Sequence, residues 1–352
     1  MSLQEETEKE LQGRCNKMAV TQKMIAELAG VARQKISEYL KNPDTPHLSR
    51  EKKELIGRLL REKGYCPNFA AQRLRGLPDF QIGIVMRDHQ LYLEHAIFSH
   101  LIPLLEKSGY RTLLIKQETF TNATFTEMAQ RGIRGLIFLV PCKVDYSLAP
   151  MPCIALTQLT DLPEVVTDFH LAGREAVKHL YRHGHRKIAY VQHKFDPRLL
   201  RGLGYREQME RFGLEPRALF GHTARELEEP LARAVKDGCT AFFCTNDFSA
   251  ALVIHLLQRK GIRIPEEAAV IGFDGLLFCH LTTPSIATFL PKVQTLSELA
   301  IQNLLSWIKT GKKAESVYVP AVFCPGGSCG CETGDPLDDI DSYHPTFVLK
   351  SL

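Results

Sequence analysis

Polar side chains that stand just past apolar runs are the first candidates for chemistry in this chain. Asp88 follows Ile82–Met86, Asn246 follows Ala241–Thr245, and Asp274 follows Ala268–Gly272. Side chains of these types can accept from, and in the case of Asn donate to, the hydroxyls of a sugar-type ligand. A residue in such a place can equally cap the helix that follows. Phe98 and Phe248 could stack on a sugar ring, although packing in a core is the commoner use of a phenylalanine. His179 and His183 lie four apart on a predicted helix, a spacing able to hold a metal. They lack the glutamate of an H-E-x-x-H pattern, and they read as surface residues. Cys324, Cys329 and Cys331 form a local group of thiols that could bind zinc or sense oxidants. No fourth ligand is evident beside them, so neither a metal nor a cofactor is expected. The sequence also has no G-x-x-x-x-G-K-[ST] phosphate loop and no G-x-G-x-x-G after the first strand. The expectation is a binding protein and not an enzyme.

The elements that must position these residues fall into two parts. Thr21 can cap a helix over 22–29, Gly30 supplies a left-handed turn, and a second helix runs from Ala32 to Leu40. Ser49 can cap a third, ended by Gly64, with Leu55, Ile56, Leu59 and Leu60 facing inward. Ile25, Ala26, Ala29, Val31, Ile36 and Leu40 then share an apolar seam, which is the pattern of a helix-turn-helix domain. Beyond residue 80, apolar strands alternate with helices: 82–86, a helix over 93–108, then 111–115, 135–140, 153–156, 187–191, 241–245 and 268–272. Fully apolar strands separated by helices imply an α/β fold of parallel sheets covered on both faces. Periodicity leaves open whether they build one large sheet or two smaller lobes. In either case a ligand belongs beyond the carboxyl ends of the strands.

Charge follows the same division. The whole chain of 352 residues carries +4, yet Lys17–Gly76 holds thirteen Lys and Arg against six Asp and Glu, a balance of +7 that leaves −3 for the rest. A basic head on a near-neutral body is the footprint of a nucleic-acid-binding segment joined to a sensor, or of a solvated helical surface. The acidic, polar start Met1–Glu6 is unlike a secretion signal, and no apolar run reaches the ~18 residues of a membrane span. Many of the ten cysteines sit inside apolar runs, which suits small buried side chains in a reducing compartment. A cytoplasmic protein without membrane contact is expected.

Val20–Val31 (VTQKMIAELAGV) and Tyr65–Leu74 (YCPNFAAQRL) resemble the opening helix-turn and the hinge of the LacI/GalR family of bacterial transcriptional regulators. His183–Tyr190, Arg201–Arg206, Cys244–Asp247 and Val270–Asp274 follow in that family's order and spacing, so the resemblance covers about 20–322. It implies a DNA-binding head over 20–66, a hinge over 67–78 and an effector-binding domain over 79–331; residues 1–19, charged and without apolar periodicity, read as a disordered extension, and 332–352 as an acidic tail. The effector domain would be two-lobed, like periplasmic binding proteins, with an N-lobe of 79–164 and 291–318 and a C-lobe of 165–290 and 319–331.

The resemblance also implies residue roles. The second helix would enter the major groove with Arg33 and Gln34 as base readers and Ser37 beside them, and Thr21 and Asn68 would join the DNA-binding set. In the hinge, Ala71 matches a close-contact position and Leu74 the wedge inserted into the minor groove of a kinked duplex. Arg201 matches the residue that holds the effector, in company with Asp88, Phe98, Asn246, Phe248 and Asp274. The implied partners are a pseudo-palindromic DNA operator, a sugar-like effector and a second copy in a homodimer. Two departures from the family pattern stand out. Ala32 replaces a common serine, and Glu38 replaces a common arginine, which implies either a different operator or a carboxylate turned away from DNA. The competing reading is a sugar-binding protein without DNA function.

Overall fold

The computed structural model describes residues 20–63, 65, 81–88, 92–158, 160–193 and 199–331. Contacts divide the chain into two compact units, Met1–Pro78 and Asp79–Leu352. In the first unit, α1 (Gln22–Ala29), α2 (Arg33–Lys41) and α3 (Arg50–Glu62) enclose a small core of Ile25, Ala26, Ala29, Ile36 and Ile56. The helix starts lie within a residue of where the sequence places them, while Gly64 lies outside the described residues. The Thr21 hydroxyl accepts from Met24 N–H at 3.2 Å and the Ser49 hydroxyl from Lys52 N–H at 3.3 Å, so one otherwise unpaired amide is satisfied at each start. Gly30, at φ 62°, ends α1, and Lys52 of α3 donates to the carbonyl of Ala29 at 2.7 Å. That ammonium sits at the negative end of α1 and ties the third helix to the turn between the first two.

The second unit opens with β1 (Gln81–Met86), α4 (Tyr92–Lys107), β2 (Arg111–Lys116), α5 (Asn122–Gln130), β3 (Ile133–Phe138) and β4 (Cys153–Ala155). The four strands form a parallel sheet in the order β2-β1-β3-β4. After β5 (Val165–Thr167) the chain enters a second lobe. It comprises α6 (Phe169–Arg182), β6 (Ile188–Gln192), α7 (Leu200–Arg211), β7 (Arg217–Phe220), α8 (Ala224–Lys236), β8 (Ala241–Cys244), α9 (Asp247–Arg259) and β9 (Ala269–Ile271). Its sheet, also parallel, has the order β7-β6-β8-β9. The question left open by periodicity is therefore answered by two lobes with a four-stranded sheet each.

The chain returns through β10 (Thr288–Leu290) to the first lobe, where α10 (Val293–Thr310) packs against α4. It then passes through β11 (Val317–Val319), paired with β5, to β12 (Val322–Cys324), paired with β10. Each lobe has apolar side chains on both faces of its sheet, which is why its strands read as continuous apolar runs. Among the described residues, no helix is long and apolar enough to cross a membrane.

The closest helix approach in the second lobe is between α6 and α7, and two glycines make it possible. A Cβ on Gly173 would lie 2.2 Å from the carbonyl oxygen of Arg201, and one on Gly204 would lie 2.0 Å from that of His170. Backbone cannot yield as a side chain tip can, so Gly204→Ala must push the helices apart. The expected cost is about 1–3 kcal/mol, as for other overpacked sites. Thermal melts followed by the fluorescence of Trp307, the single tryptophan of the chain, should show the midpoint lowered by several degrees; an unchanged midpoint would refute the packing argument.

Candidate functional site

Arg33 and Gln34 are exposed at the start of α2, with the half-buried Ser37 one turn on, while Ile36 is buried in the small core. Gln34 lies across the helix from this apolar anchor, with Arg33 and Ser37 to the side of it, so α2 presents donors and acceptors to solvent. Glu38 is committed elsewhere: it accepts from Thr45 at 2.7 Å and from Lys35 at 3.1 Å, with His47 3.6 Å away. The Thr45 hydroxyl and then the Lys35 ammonium hold its pKa below the usual carboxylate range. Of the two readings of this departure, the structure supports a carboxylate turned to its own domain. Thr21 uses its hydroxyl as the cap of α1. Asn68, Ala71 and Leu74 lie outside the described residues.

Between the two lobes lies a cavity of about 340 Å³. Its first wall comes from the carboxyl ends of the first sheet: Arg87 after β1, Leu139 and Pro141 after β3, and Leu156, Thr157 and Gln158 after β4, with Leu93, Glu94 and Ile97 from α4. The facing wall is Phe169, Leu199, Asn246, Phe248, Asp274 and Leu276. Asn246 and Asp274 meet there from the ends of β8 and β9, beside Phe248, a ring 63% exposed and backed by Phe278 at 5.1 Å. Asn246 does two things at once: its Oδ1 caps α9 through Ser249 N–H at 2.8 Å, and its Nδ2 lies 3.2 Å from His193 Nε2.

Asp274 holds a backbone that L residues rarely adopt, φ 115°, stabilised by its N–H on the carbonyl of Phe289 at 3.0 Å. Burial raises its pKa to about 7, opposed by the Arg201 guanidinium and assisted by the negative charge of Asp247. Asp247 is fully buried and itself raised to about 6 by burial, despite accepting from Leu276 N–H at 2.8 Å and the Thr288 hydroxyl at 2.6 Å.

Arg201 lies behind this wall and does not line the cavity. Its guanidinium sits 3.5 Å over the ring of Phe273 and 4.8 Å over that of Phe169, and it donates to the carbonyl of Thr245. Its Nε has no hydrogen-bond partner. Burial lowers its pKa, and Tyr190, Asp274 and Asp247 act against that. Arg201 thus reaches the cavity through Phe169 and Asp274.

Two expected residues are placed elsewhere. Asp88 is exposed and paired with Lys116 at 2.7 Å, because successive side chains at a strand end point to opposite sides and Arg87 takes the inward place. Phe98 packs into the core of the first lobe, one position along α4 from the face that carries Leu93, Glu94 and Ile97. Sequence reasoning missed Arg87, Glu94 and Gln158. Arg87 and Glu94 form an ion pair at 3.6 Å, and the Nε2 of Gln158 is buried without a hydrogen-bond partner. Their signal is present in the chain, since Arg87 and Gln158 stand at strand ends just as Asn246 does. Of the three thiols, Cys329 and Cys331 are side-chain neighbours. Cys324 points at the carbonyl of Val322 and Cys329 at that of Gly326, whereas Cys331 faces His179 and His183.

A helix-turn-helix head joined to two α/β lobes with a polar, aromatic-lined cleft defines a ligand-controlled DNA-binding regulator. Comparison with known proteins agrees. Residues 177–329 match the model of a periplasmic binding protein-like domain. The chain is 24% identical to the HTH-type transcriptional regulator GntR of Escherichia coli K12, over 86% of its own length and 97% of that protein. Its fold is similar to the lac repressor dimer bound to operator and the anti-inducer ONPF, with a TM-score of 0.75, 20% identity and coverage of 89% of this chain and 99% of that one. It is similar also to the transcriptional regulator CelR in complex with cellobiose, with a TM-score of 0.61, 19% identity and coverage of 88% and 99%. The chain is similar to LacI-family transcriptional regulators along most of its length, and residues 177–329 carry a periplasmic binding protein-like domain.

The carboxyl of Asp274 gives a pH signature. A carboxyl with a pKa of about 7 in the folded state, against about 3.9 unfolded, keeps its proton longer when folded. The folded state then binds more protons between those values, so stability falls as pH rises from about 4 to 7. Asp247 adds a similar slope that ends near 6. Urea midpoints measured by Trp307 fluorescence should decline across this range, and Asp274→Asn should flatten the upper part. Identical slopes in the two proteins would refute the assignment.

Proposed function

We propose that the cleft binds a neutral, polyhydroxylated ligand of the sugar class, and that its occupancy sets the affinity of the head for a two-fold symmetric duplex DNA site held by a homodimer in the cytoplasm. The observation that carries this reading is the composition of the cavity. An exposed ring, Phe248, stands beside the carboxyl of Asp274 and the carboxamide of Asn246, and a buried Gln158 Nε2 without a partner lines the same space. An aromatic platform and a few convergent hydrogen-bonding groups in an otherwise apolar pocket suit the faces and hydroxyls of a sugar. The one cation on the lining, Arg87, is already engaged by Glu94, so nothing on that wall favours a phosphorylated ligand. The cellobiose complex of CelR and the operator complex of the lac repressor support the two halves of the proposal.

On the DNA side, Arg33 and Gln34 read base edges and Ser37 and Thr21 make neighbouring contacts, while the hinge residues Asn68, Ala71 and Leu74 enter the minor groove. Selection from random duplexes should enrich a two-fold symmetric sequence whose binding weakens steeply with salt. Arg33→Ala should cost about 1–3 kcal/mol and relax preference at one position of each half-site. Enrichment of no symmetric site would leave a sugar-binding protein without DNA function. With a site in hand, a panel of sugars is screened for a change in DNA retention. Phe248→Ala should lower the potency of the active sugar by about tenfold or more, the size expected from losing a stacking contact of roughly 1.5 kcal/mol, without altering the selected DNA sequence. A response equal to that of the unaltered protein would remove Phe248 from the site.

A further inference from the structure

We propose that His179, His183 and Cys331 form a binding site for a thiophilic divalent cation of the zinc class, outside the effector cleft. His179 stands on the last turn of α6, His183 caps the end of that helix, and Cys331 follows the turn Gly327–Cys329 that closes the second lobe. The Cys331 Sγ lies 3.5 Å from His179 Nε2 and 3.7 Å from His183 Nε2, and one donor atom from each of the three residues lies within 4.8 Å of the others. Zinc binds thiolate at about 2.3 Å and imidazole at about 2.0–2.1 Å, so a tetrahedral site places its nitrogen and sulfur ligands about 3.5 Å apart. The two observed separations match that edge. A single S–H proton can serve one imidazole lone pair, whereas a cation serves all three donors together.

Both sides of the site are held in place before any ion arrives. The ring of His179 packs against that of Phe323 with centroids 4.4 Å apart, and against that of His183 at 4.5 Å. On the other side, the buried Ser328 donates to the carbonyl of Val270 at 2.6 Å and accepts from Ala287 N–H at 2.9 Å, which fixes the closing turn to the strands beneath it. Gly330, at φ 79°, then turns the chain so that Cys331 faces the helix end. Ligands preset in this way lose little freedom on binding. His183 is exposed, so the fourth position is open to water or to an exogenous ligand. The bound ion staples the end of the second lobe to α6, the helix whose first residue, Phe169, lines the effector cleft.

The test uses the full chain, reduced and stripped of metal with a chelator, then titrated with Co²⁺ and afterwards with Zn²⁺. The expected result is one equivalent of Co²⁺ bound with a thiolate-to-metal absorption band that Zn²⁺ abolishes. Cys331→Ser should lose the band. His183→Asn, at an exposed position where folding is not at stake, should weaken Zn²⁺ binding by at least about 100-fold, since a direct ligand matters more than the outer partners whose loss costs 10–100-fold. Zn²⁺ should also raise the thermal midpoint reported by Trp307 in the unaltered protein and in neither variant. Absence of the band in the unaltered chain, or a band undiminished in either variant, overturns the proposal.

Discussion

The buried carboxylate of Asp247 organises the wall of the cleft on which the effector site depends. It stands on the first turn of α9, and its two oxygens accept from the Leu276 amide and the Thr288 hydroxyl, which belong to the loop after β9 and to β10. Its own N–H donates to the carbonyl of Phe273. A side chain at Gly272 would bring a Cβ within 2.2 Å of the Asp247 Oδ1, so the glycine is a condition of the contact. Three segments remote in sequence are thereby locked at one point, with Asn246 just before the carboxylate and Asp274 just past the glycine. The motifs Cys244–Asp247 and Val270–Asp274 are two halves of a single interaction.

A buried carboxylate is costly unless it is compensated, and the compensation here is incomplete by design of its surroundings. Hydrogen bonds reach Asp247, while Arg201 interacts electrostatically with both Asp274 and Asp247 from beside two aromatic rings. Asp274 is left raised toward neutrality at the surface of the cavity. A carboxyl near its midpoint can donate as well as accept, which suits hydroxyl ligands of either sense. The α6–α7 contact sets this electrostatics from behind. It brings the backbone of Arg201 against Gly173, and the guanidinium is carried from there to the Thr245 carbonyl. The resemblance gave Arg201 direct contact with effector; its geometry gives it the work of holding Phe169 and of tuning Asp274.

Much of this was legible in the sequence, for reasons that also explain the gaps. The caps at Thr21 and Ser49 and the left-handed Gly30 have strong local chemistry, and each helix of the head starts within a residue of its expected place. Long apolar strands such as Ile188–Gln192 are unmistakable, but β7 is only partly buried and β5, β10, β11 and β12 have three residues each, too few to make a pattern. At the cleft, strand ends locate the wall but not which neighbour faces it, so the sequence points to Asp88 where Arg87 lines the cavity. On α4 the same error is one of helical phase, Phe98 in place of Ile97. The grouping of His179 and His183 with Cys331 is hidden for a different reason: Cys331 lies 148 residues or more away in sequence, and no local spacing records that return.

The two units divide the energetics of the protein as their charges are divided. The head has few apolar side chains to bury, and its surplus of +7 suits phosphate binding that does not distinguish sequences. The second unit, at −3 with the remainder of the chain, adds little to that attraction. An effector held there can alter DNA affinity only by the difference in its own affinity for the two states of the protein. A pocket whose polar groups are satisfied equally in both states would therefore signal nothing. Gln158 Nε2, which lacks a partner, and Asp274, poised between protonation states, are the groups with free energy left to gain from a ligand. The first is carried by one lobe and the second by the other, so a ligand that engages both gains most in the state that brings the two walls to its own span.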